Sequence, residues 1–276
     1  MVDLHEIIEN HYFREDLYED ILNRLTKQGI DLEKITRADL SGVDEFHVRG
    51  AAVSQELAGT IDLKGASVLD VGCGLGGPCR MLADEFDCKC TGIDLSAEYI
   101  RTATKLSKLV ELSDRTTFVQ GNATDLPFKE KTFDVVWTQH VQMNIPDKDK
   151  FYFEIFRVLK PGGYLLYYDI FKNREGEIGY PMPWASNGGQ SFLFKSEDME
   201  RILSDLGFSK VHFQDQTKAG VDFFEAFIAK LKKLGPPKIG LNVLMGETTK
   251  PKILNLLTHL KQGTLALQSG AYRKWI

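Results

Sequence analysis

The sequence predicts an α/β fold with a mainly parallel sheet, and three observations lead there. Short apolar segments alternate with stretches of helical periodicity from Ser67 to Thr217. One of those segments, "DVVW" at Asp134–Trp137, is almost continuously apolar, as in a strand covered on both faces. A glycine cluster, "GCGLGG" at Gly72–Gly77, joins the first such segment to a helical one. Strands alternating with helices at this spacing pair in parallel through right-handed crossovers, which places helices on both faces of the sheet.

Leu17, Ile21, Leu22 and Leu25 recur at helical spacing and Gly29 ends the run, predicting a helix over 5–28. A short helix is expected over 32–40, then "GVDEFHVRG" breaks the pattern, and 51–57 reads as helix again. "SVLDVG" is a strand and "GGPCRMLADEF" a helix. "CKCTGIDL" is a strand, and "SAEYIRTATKLSKLVEL" a helix capped by Ser96. "TTFVQGNA" and "TFDVVWTQH" are strands. "DKDKFYFEIFRVLK" is a helix closed by Pro161-Gly162-Gly163, after which "GYLLYYDIF" is a strand. "SEDMERILSDLG" is a helix with Ser196 as N-cap and Gly207 as stop, and "KVHFQDQT" is a strand. Two segments interrupt the alternation: a long loop over 172–194, and a helical stretch over 221–262 that precedes a last strand, "TLALQSGAY".

The 276 residues suffice for one large domain, or a domain with a cap. A net charge of −5 gives no basic face for phosphates, so no nucleic-acid partner is expected. No run of 18 apolar residues suggests stable membrane insertion, and "MVDLHEIIENHYF" lacks the basic start and apolar centre of a secretory signal. A cytoplasmic protein acting on a small molecule is expected, with oligomeric state open. Cys73, Cys79, Cys88 and Cys90 show no C-x-x-C spacing, and no metal is expected. The basic cluster over 230–238 reads as a solvated helix end.

In open α/β sheets ligands sit at the carboxyl ends of the strands, so the glycine loop should line the binding crevice. Its glycines satisfy both G-x-G-x-x-G and G-x-G-x-G. Asp94, at the end of the second strand, can accept both hydroxyls of a ribose. That much suits a nicotinamide dinucleotide and S-adenosylmethionine equally. Asp70, two residues before the first glycine, separates them. At about 4–6 Å a carboxylate would cost a pyrophosphate roughly 3–4 kcal/mol at an effective dielectric near 20. The sulfonium and ammonium of S-adenosylmethionine would instead be favoured. A carboxylate that merely accepts backbone N–H bonds from the glycine turn is compatible with the same ligand.

The later segments extend the pattern. "DVGCGLGG", "GIDLS", "GNATDLPF", "FDVVWTQHVQMNI" and "EIFRVLKPGGYLLYYD" follow in the order and spacing of class I S-adenosylmethionine-dependent methyltransferases, and over 45–215 the chain resembles their type 11 group. Through "DEFHVRG", "GLGGP", "QHVQMNIPDK" and "YPMPWA" it is most similar to the sarcosine/dimethylglycine N-methyltransferases. Quinone C-methyltransferases and phosphoethanolamine methyltransferases share the wider pattern. The resemblance implies a Rossmann-like seven-stranded sheet, six strands parallel and the last antiparallel, with a helical cap. It implies a lid over 1–48 and a methyltransferase domain over 49–276 with 221–262 as an insertion. The helix's aromatics among charges and the broken "GVDEFHVRG" segment agree with a lid, so removing residues 1–28 is expected to leave a folded domain that binds S-adenosylmethionine but methylates poorly.

The resemblance implies that Gly72, Cys73, Gly74 and Gly76 border the methionine part of S-adenosylmethionine, with Asp70 close to its cationic groups. Asp94 would hold the ribose and Leu95 would lie beside adenine. Asn122 and Ala123 match the adenine-contacting pair, although Asn122 stands where the family often has Asp; an amide oxygen can accept from the adenine amino group, and the amide NH₂ can donate to a ring nitrogen. Gln139 and His140 would line the methyl-transfer channel. Methyl transfer from a sulfonium is an in-line displacement that chiefly needs positioning and desolvation. A neutral amine attacks without a base, whereas a phenol or enolic carbon needs one, and His140 is the candidate. His47 and Arg49 belong to the segment that folds over the ligand, and Arg49 could pair with a carboxylate. Tyr12, Tyr180 and Trp184 could wall a methylated ammonium by cation–π attraction. The expected acceptor is a small amine such as glycine, sarcosine or dimethylglycine. C-methylation of a quinol-type ring and N-methylation of phosphoethanolamine stand as alternatives. Outside methyl transfer, so do a nicotinamide oxidoreductase and a non-catalytic S-adenosylmethionine-binding protein.

Overall fold

The structure, a computed structural model, describes residues 16–235, 240 and 242–275. Its strands are β1 (Ser67–Val71), β2 (Lys89–Asp94), β3 (Thr116–Gln120), β4 (Phe133–Gln139), β5 (Leu159–Lys172), β6 (Phe208–Asp215) and β7 (Leu265–Lys274). They form one sheet in the order β3-β2-β1-β4-β5-β7-β6. β1 to β5 pair in parallel, while β7 runs antiparallel to both β5 and β6. The expected Rossmann-like arrangement, six strands parallel and the last reversed, is the one observed. Among the described residues no helix is long and apolar enough to cross a membrane.

The helices are α1 (Leu17–Lys27), α2 (Ala51–Ala58), α3 (Gly77–Glu85), α4 (Ala97–Leu109), α5 (Lys148–Val158), α6 (Ser196–Leu206), α7 (Thr217–Leu234) and α8 (Thr249–Gln262). Strand alternation assigns the sheet's two faces. Val68 and Trp137 pack on the face covered by α2, α3, α7 and α8, and Leu69, Val71 and Val136 on the face covered by α5 and α6. Covering both faces is what made the central strands read as apolar runs.

Several expected boundaries move for identifiable reasons. Pro161-Gly162-Gly163 does not close α5, which ends at Val158, but lies inside β5, as an irregularity where Phe133 pairs with Leu159 and Val135 with Tyr164. The expected helix over 221–262 is divided: α7 begins earlier, at Thr217, and ends at Gly235 with φ +75°, and a four-residue helical turn, Asn242–Met245, precedes α8. Ser96 caps α4 by accepting from the Tyr99 N–H, but Ser196 is the first residue of α6, whose cap position is Lys195. The short helix expected over 32–40 is only a 3-10 turn at Arg37–Leu40, closed by reciprocal Thr36 and Asp39 hydrogen bonds.

α1 is the described part of the helix expected over 5–28. Its Leu17, Ile21 and Leu25 are buried in a separate small core with Leu40, Val43, Leu75, Tyr99 and Leu106. None of α1 lines the cleft described below.

Candidate functional site

The carboxyl ends of β1, β2, β3 and β4 open into a cavity of ≈ 330 Å³, to whose wall the segment ahead of α2 contributes Asp44, Phe46 and His47. Asp70, Gly72, Cys73, Gly74, Asp94, Leu95, Asn122, Ala123, Gln139 and His140 all line it. The sequence scattered these residues over seventy positions; parallel topology brings them to one edge.

Asp94 ties the site together. Its Oδ2 accepts from the Gly74 N–H at 2.9 Å and its Oδ1 from the Ser96 N–H at 2.9 Å, which fixes the glycine loop against the start of α4. A carboxylate offers about four acceptor positions, so both oxygens can still receive hydroxyls. Gly74 has φ +53°, and a Cβ there would meet nothing within 4 Å, as expected where backbone borders a ligand space. Gly77 serves a different purpose. A Cβ there would sit 1.7 Å from the Asp44 carbonyl oxygen, so its absence lets the segment ahead of α2 lie directly on the loop. Arg80, fully buried on α3, secures that contact by donating to Asp44 Oδ1 at 2.5 Å and to the Leu75 carbonyl at 2.7 Å. Burial raises the Asp44 carboxyl, and Arg80 opposes that shift. An arginine among Cys79, Met81 and Leu82 was the available signal for this pair, and the sequence reading passed over it.

Asp70 is buried, and its Oδ2 accepts from the Cys79 thiol at 3.4 Å. It does not take the N–H groups of the glycine turn; those of Gly72 and Cys73 go to the Ile93 carbonyl at 2.8 and 3.1 Å. Burial pushes Asp70 up to about 7, the thiol bond opposes this, and the charge of Asp94 adds to it. A buried carboxylate held by one weak donor fits a cationic ligand group and repels an anionic one.

Other expected positions are corrected. Gly76 does not line the cavity; a Cβ there would meet the Phe118 ring at 2.6 Å, so it packs behind the loop. Asn122 lines the cavity, but its Oδ1 accepts from Thr124 N–H at 2.9 Å and Thr124 Oγ1 at 3.0 Å. Arg49 lies outside the cavity. Its guanidinium is a bidentate partner of Glu56, at 2.6 and 2.7 Å, and also donates to Gln216 Oε1 at 2.7 Å. Trp184 is buried, with its Nε1 donating to Ser191 Oγ at 3.0 Å, and Tyr180 packs against the same core; neither lines a cavity near the site. Tyr12 lies outside the described residues.

A second, smaller cavity of ≈ 30 Å³ adjoins the first. Val48, Pro183, Phe223, Phe224, Met245, Ile253 and Leu256 wall it, and five of these come from the stretch between β6 and β7. Phe46, His47 and His140 line both cavities. His140 follows β4 with φ +54°, its N–H donating to the Tyr168 carbonyl at 2.9 Å. Its Nε2 is buried with no hydrogen-bond partner among the described residues, and burial, then His47, holds the ring well below its ordinary pKa. Beneath this turn Asp169 accepts from the N–H groups of Val141, Gln142 and Ile170, and Lys148 donates to the Gln142 and Ile145 carbonyls. Among the described residues no group of three His, Cys, Asp or Glu side chains could hold a metal ion.

The seven-stranded sheet with its helices is the Rossmann-like fold of the methyltransferases. Residues 69–167 match the family described as methyltransferase domain, whose cofactor is S-adenosylmethionine. The chain is 35% identical over 152 residues to the chloroplastic tocopherol O-methyltransferase of Arabidopsis thaliana, covering 53% of this chain and 44% of that protein. It is 38% identical over 162 residues to the sterol 24-C-methyltransferase of Aspergillus fumigatus, covering 55% and 42%. The chain thus spans under half the length of these relatives. Among solved structures the [4+2]-cyclase SpnF has a TM-score of 0.68 at 21% identity, covering 99% of this chain and 97% of that one. A candidate sarcosine dimethylglycine methyltransferase from Galdieria sulphuraria has a TM-score of 0.63 at 21% identity, covering 81% and 84%. Both likenesses concern the fold. The relatives differ among themselves in acceptor, so the narrower resemblance to sarcosine/dimethylglycine enzymes is not carried by the comparisons.

Proposed function

We propose that the chain is an S-adenosylmethionine-dependent methyltransferase whose acceptor is an apolar small molecule presenting one hydroxyl or one activated ring carbon. The observation that carries this reading is the junction of the two cavities at Phe46, His47 and His140, with apolar walls on the far side. When bound, the cofactor supplies an activated methyl group; the protein's part is to position it, desolvate it and manage the acceptor's proton. In this reading Asp94 holds the ribose, Asp70 offsets the cationic end, and Asp44–His47 is the part of the 1–48 lid that covers the ligand. The relatives named for tocopherol and sterol agree with an apolar acceptor.

The amine expected from sequence fits less well. A glycine-type acceptor needs a polar or cationic group for its carboxylate; of the two residues expected to supply it, Arg49 is already paired with Glu56, and burial holds His140 well below its ordinary pKa. The quinol-type alternative therefore becomes the preferred class. Turnover of methyl-labelled S-adenosylmethionine against alkyl phenols and hydroquinones, glycine, sarcosine, dimethylglycine and phosphoethanolamine tests it. Methylation confined to the phenols and hydroquinones is expected. Methylation of sarcosine or phosphoethanolamine with the phenols untouched would reverse the assignment.

A further inference from the structure

A buried hydrogen-bonded cluster ends at the junction of the two cavities; Ser54 Oγ lies within 3.2 Å of Glu45 Oε2, Gln139 Oε1 and His47 Nε2, and the obligate donors and acceptors around it favour one set of directions. Trp137 Nε1–H can only donate, and it donates to Gln139 Oε1 at 2.9 Å. The amide of Gln139 is thereby oriented, and its Nε2 donates to Ser54 Oγ at 3.2 Å. The single Ser54 proton is then given to Glu45 Oε2 at 3.0 Å. From the other side, His47 Nε2 lies 3.1 Å from the Gly50 carbonyl oxygen and 3.1 Å from Glu45 Oε2. A carbonyl can only accept, so Nε2 carries the hydrogen. Nδ1 is left as the ring's accepting nitrogen, and it makes no hydrogen bond among the described residues. Every donor in the set converges on Glu45, and the imidazole it orients lines both the cofactor cavity and the apolar one.

We propose that His47 is the proton acceptor of the transfer, its Nδ1 taking the O–H proton of the apolar acceptor, with Glu45 the positioning residue that holds its tautomer. This rests on the methyl-transfer reading above. The acceptor oxygen forms its bond to the methyl carbon as the sulfur–methyl bond breaks and that electron pair passes to sulfur. The oxygen's proton goes to Nδ1 and leaves to solvent after the product does. His140 is the weaker base because no anion or hydrogen-bond acceptor among the described residues supports a proton on its buried Nε2. At His47 the Nε2–H of the protonated ring has two acceptors, the Gly50 carbonyl and Glu45 Oε2, each at 3.1 Å. Burial holds Glu45 up at about 8 and His47 down at about 4, so the resting pair is uncharged and the imidazole is available to accept. Asp44, Asp70 and Arg37 also act on Glu45, and His47 itself acts on His140.

The test compares two acceptors with the full chain: 4-methylphenol, which must lose its proton during reaction, and 4-nitrophenol, which is ionised beforehand. His47→Ala should lower kcat for 4-methylphenol at least tenfold more than for 4-nitrophenol. Glu45→Gln should shift the same ratio in the same direction while the KM for S-adenosylmethionine stays put. Equal losses on both phenols would overturn the base assignment while leaving methyl transfer intact. If neither phenol reacts, the acceptor class proposed above fails, and ¹⁵N spectra of the His47 imidazole in the cofactor-bound protein decide the residue separately. Nε2–H with unprotonated Nδ1, weakened in Glu45→Gln, supports the assignment; Nδ1–H overturns it.

Discussion

Two aspartates in the cleft, identical in side chain, are held in opposite ways. Asp94 is surrounded by backbone donors and bridges Gly74 to Ser96. Asp94→Ala should weaken S-adenosylmethionine binding by about 1.5–3 kcal/mol, the range for charged hydrogen bonds, with part of the loss coming from a loosened glycine loop. Calorimetry showing unchanged affinity in a folded variant would remove Asp94 from the ribose. Asp70 lacks such donors, and burial holds it at about 7. Its folded-state value therefore lies above the ordinary carboxylate value. The stability contributed by the neutral form is fully present below that ordinary value and is lost as pH rises through about 7. Asp70→Asn should accordingly melt higher than the wild type at pH 8, with the advantage fading by pH 5. A cationic ligand favours the ionised form, so binding should expel a proton below pH 7. Wild-type affinity for S-adenosylmethionine should then fall by up to about tenfold per pH unit below that point. Asp70→Asn should bind weakly at every pH. Affinity indifferent to pH between 5.5 and 8 would mean that Asp70 does not face the cationic end.

At the scale of elements, the N-terminal segment is divided between packing and covering. Aromatic and charged residues suggested a lid, but α1 turns Leu17, Ile21 and Leu25 into a core against Tyr99 and Leu106 of α4. Burying three such side chains contributes about 5–9 kcal/mol, a large share of the roughly 5–15 kcal/mol that holds a domain together. Removing residues 1–28 should therefore lower the melting temperature by at least ~10 °C, instead of leaving an intact binding domain. A truncated chain that melts with the full chain and binds S-adenosylmethionine would restore the lid reading for α1. The helical period of Leu17, Ile21 and Leu25 was legible in the sequence, but the surface it faces was not, because periodicity names a buried face without naming its partner. Strand alternation and the positions of Asp70 and Asp94 were legible for a better reason: a parallel sheet sends every strand's carboxyl end to the same edge. Arg49 and Trp184 misled because a residue beside a motif can spend its polar groups on close neighbours, here Glu56 and Ser191.

Across the whole molecule, the two halves of the site come from different parts of the chain. The first four strands and their loops build the cofactor cleft within residues 44–150, and that half was readable because its chemistry repeats as short local motifs. The apolar cavity gathers Val48, Pro183, Phe223, Met245 and Ile253 from segments some two hundred positions apart, and the three from the stretch between β6 and β7 belong to no motif. The buried chain from Trp137 to Glu45 was hidden likewise, since it joins β4 to α2 and the segment before it through contacts 85 residues apart in sequence. On the proposed function this division would separate affinity for the methyl donor from selection of the acceptor, and substitutions can test it. Phe223 is a partly buried residue of α7 that lines the small cavity and not the large one. Phe223→Ala should enlarge the cavity, leave the dissociation constant for S-adenosylmethionine within twofold, and shift kcat/KM toward phenols carrying longer alkyl chains by about tenfold. That factor corresponds to roughly 1.4 kcal/mol, the scale of one to two buried methylene groups. Phe223→Trp should shift selectivity the other way, toward the smallest phenols. If both variants instead change cofactor affinity together with acceptor preference, the two cavities act as one site and the insertion between β6 and β7 is not a separate selector.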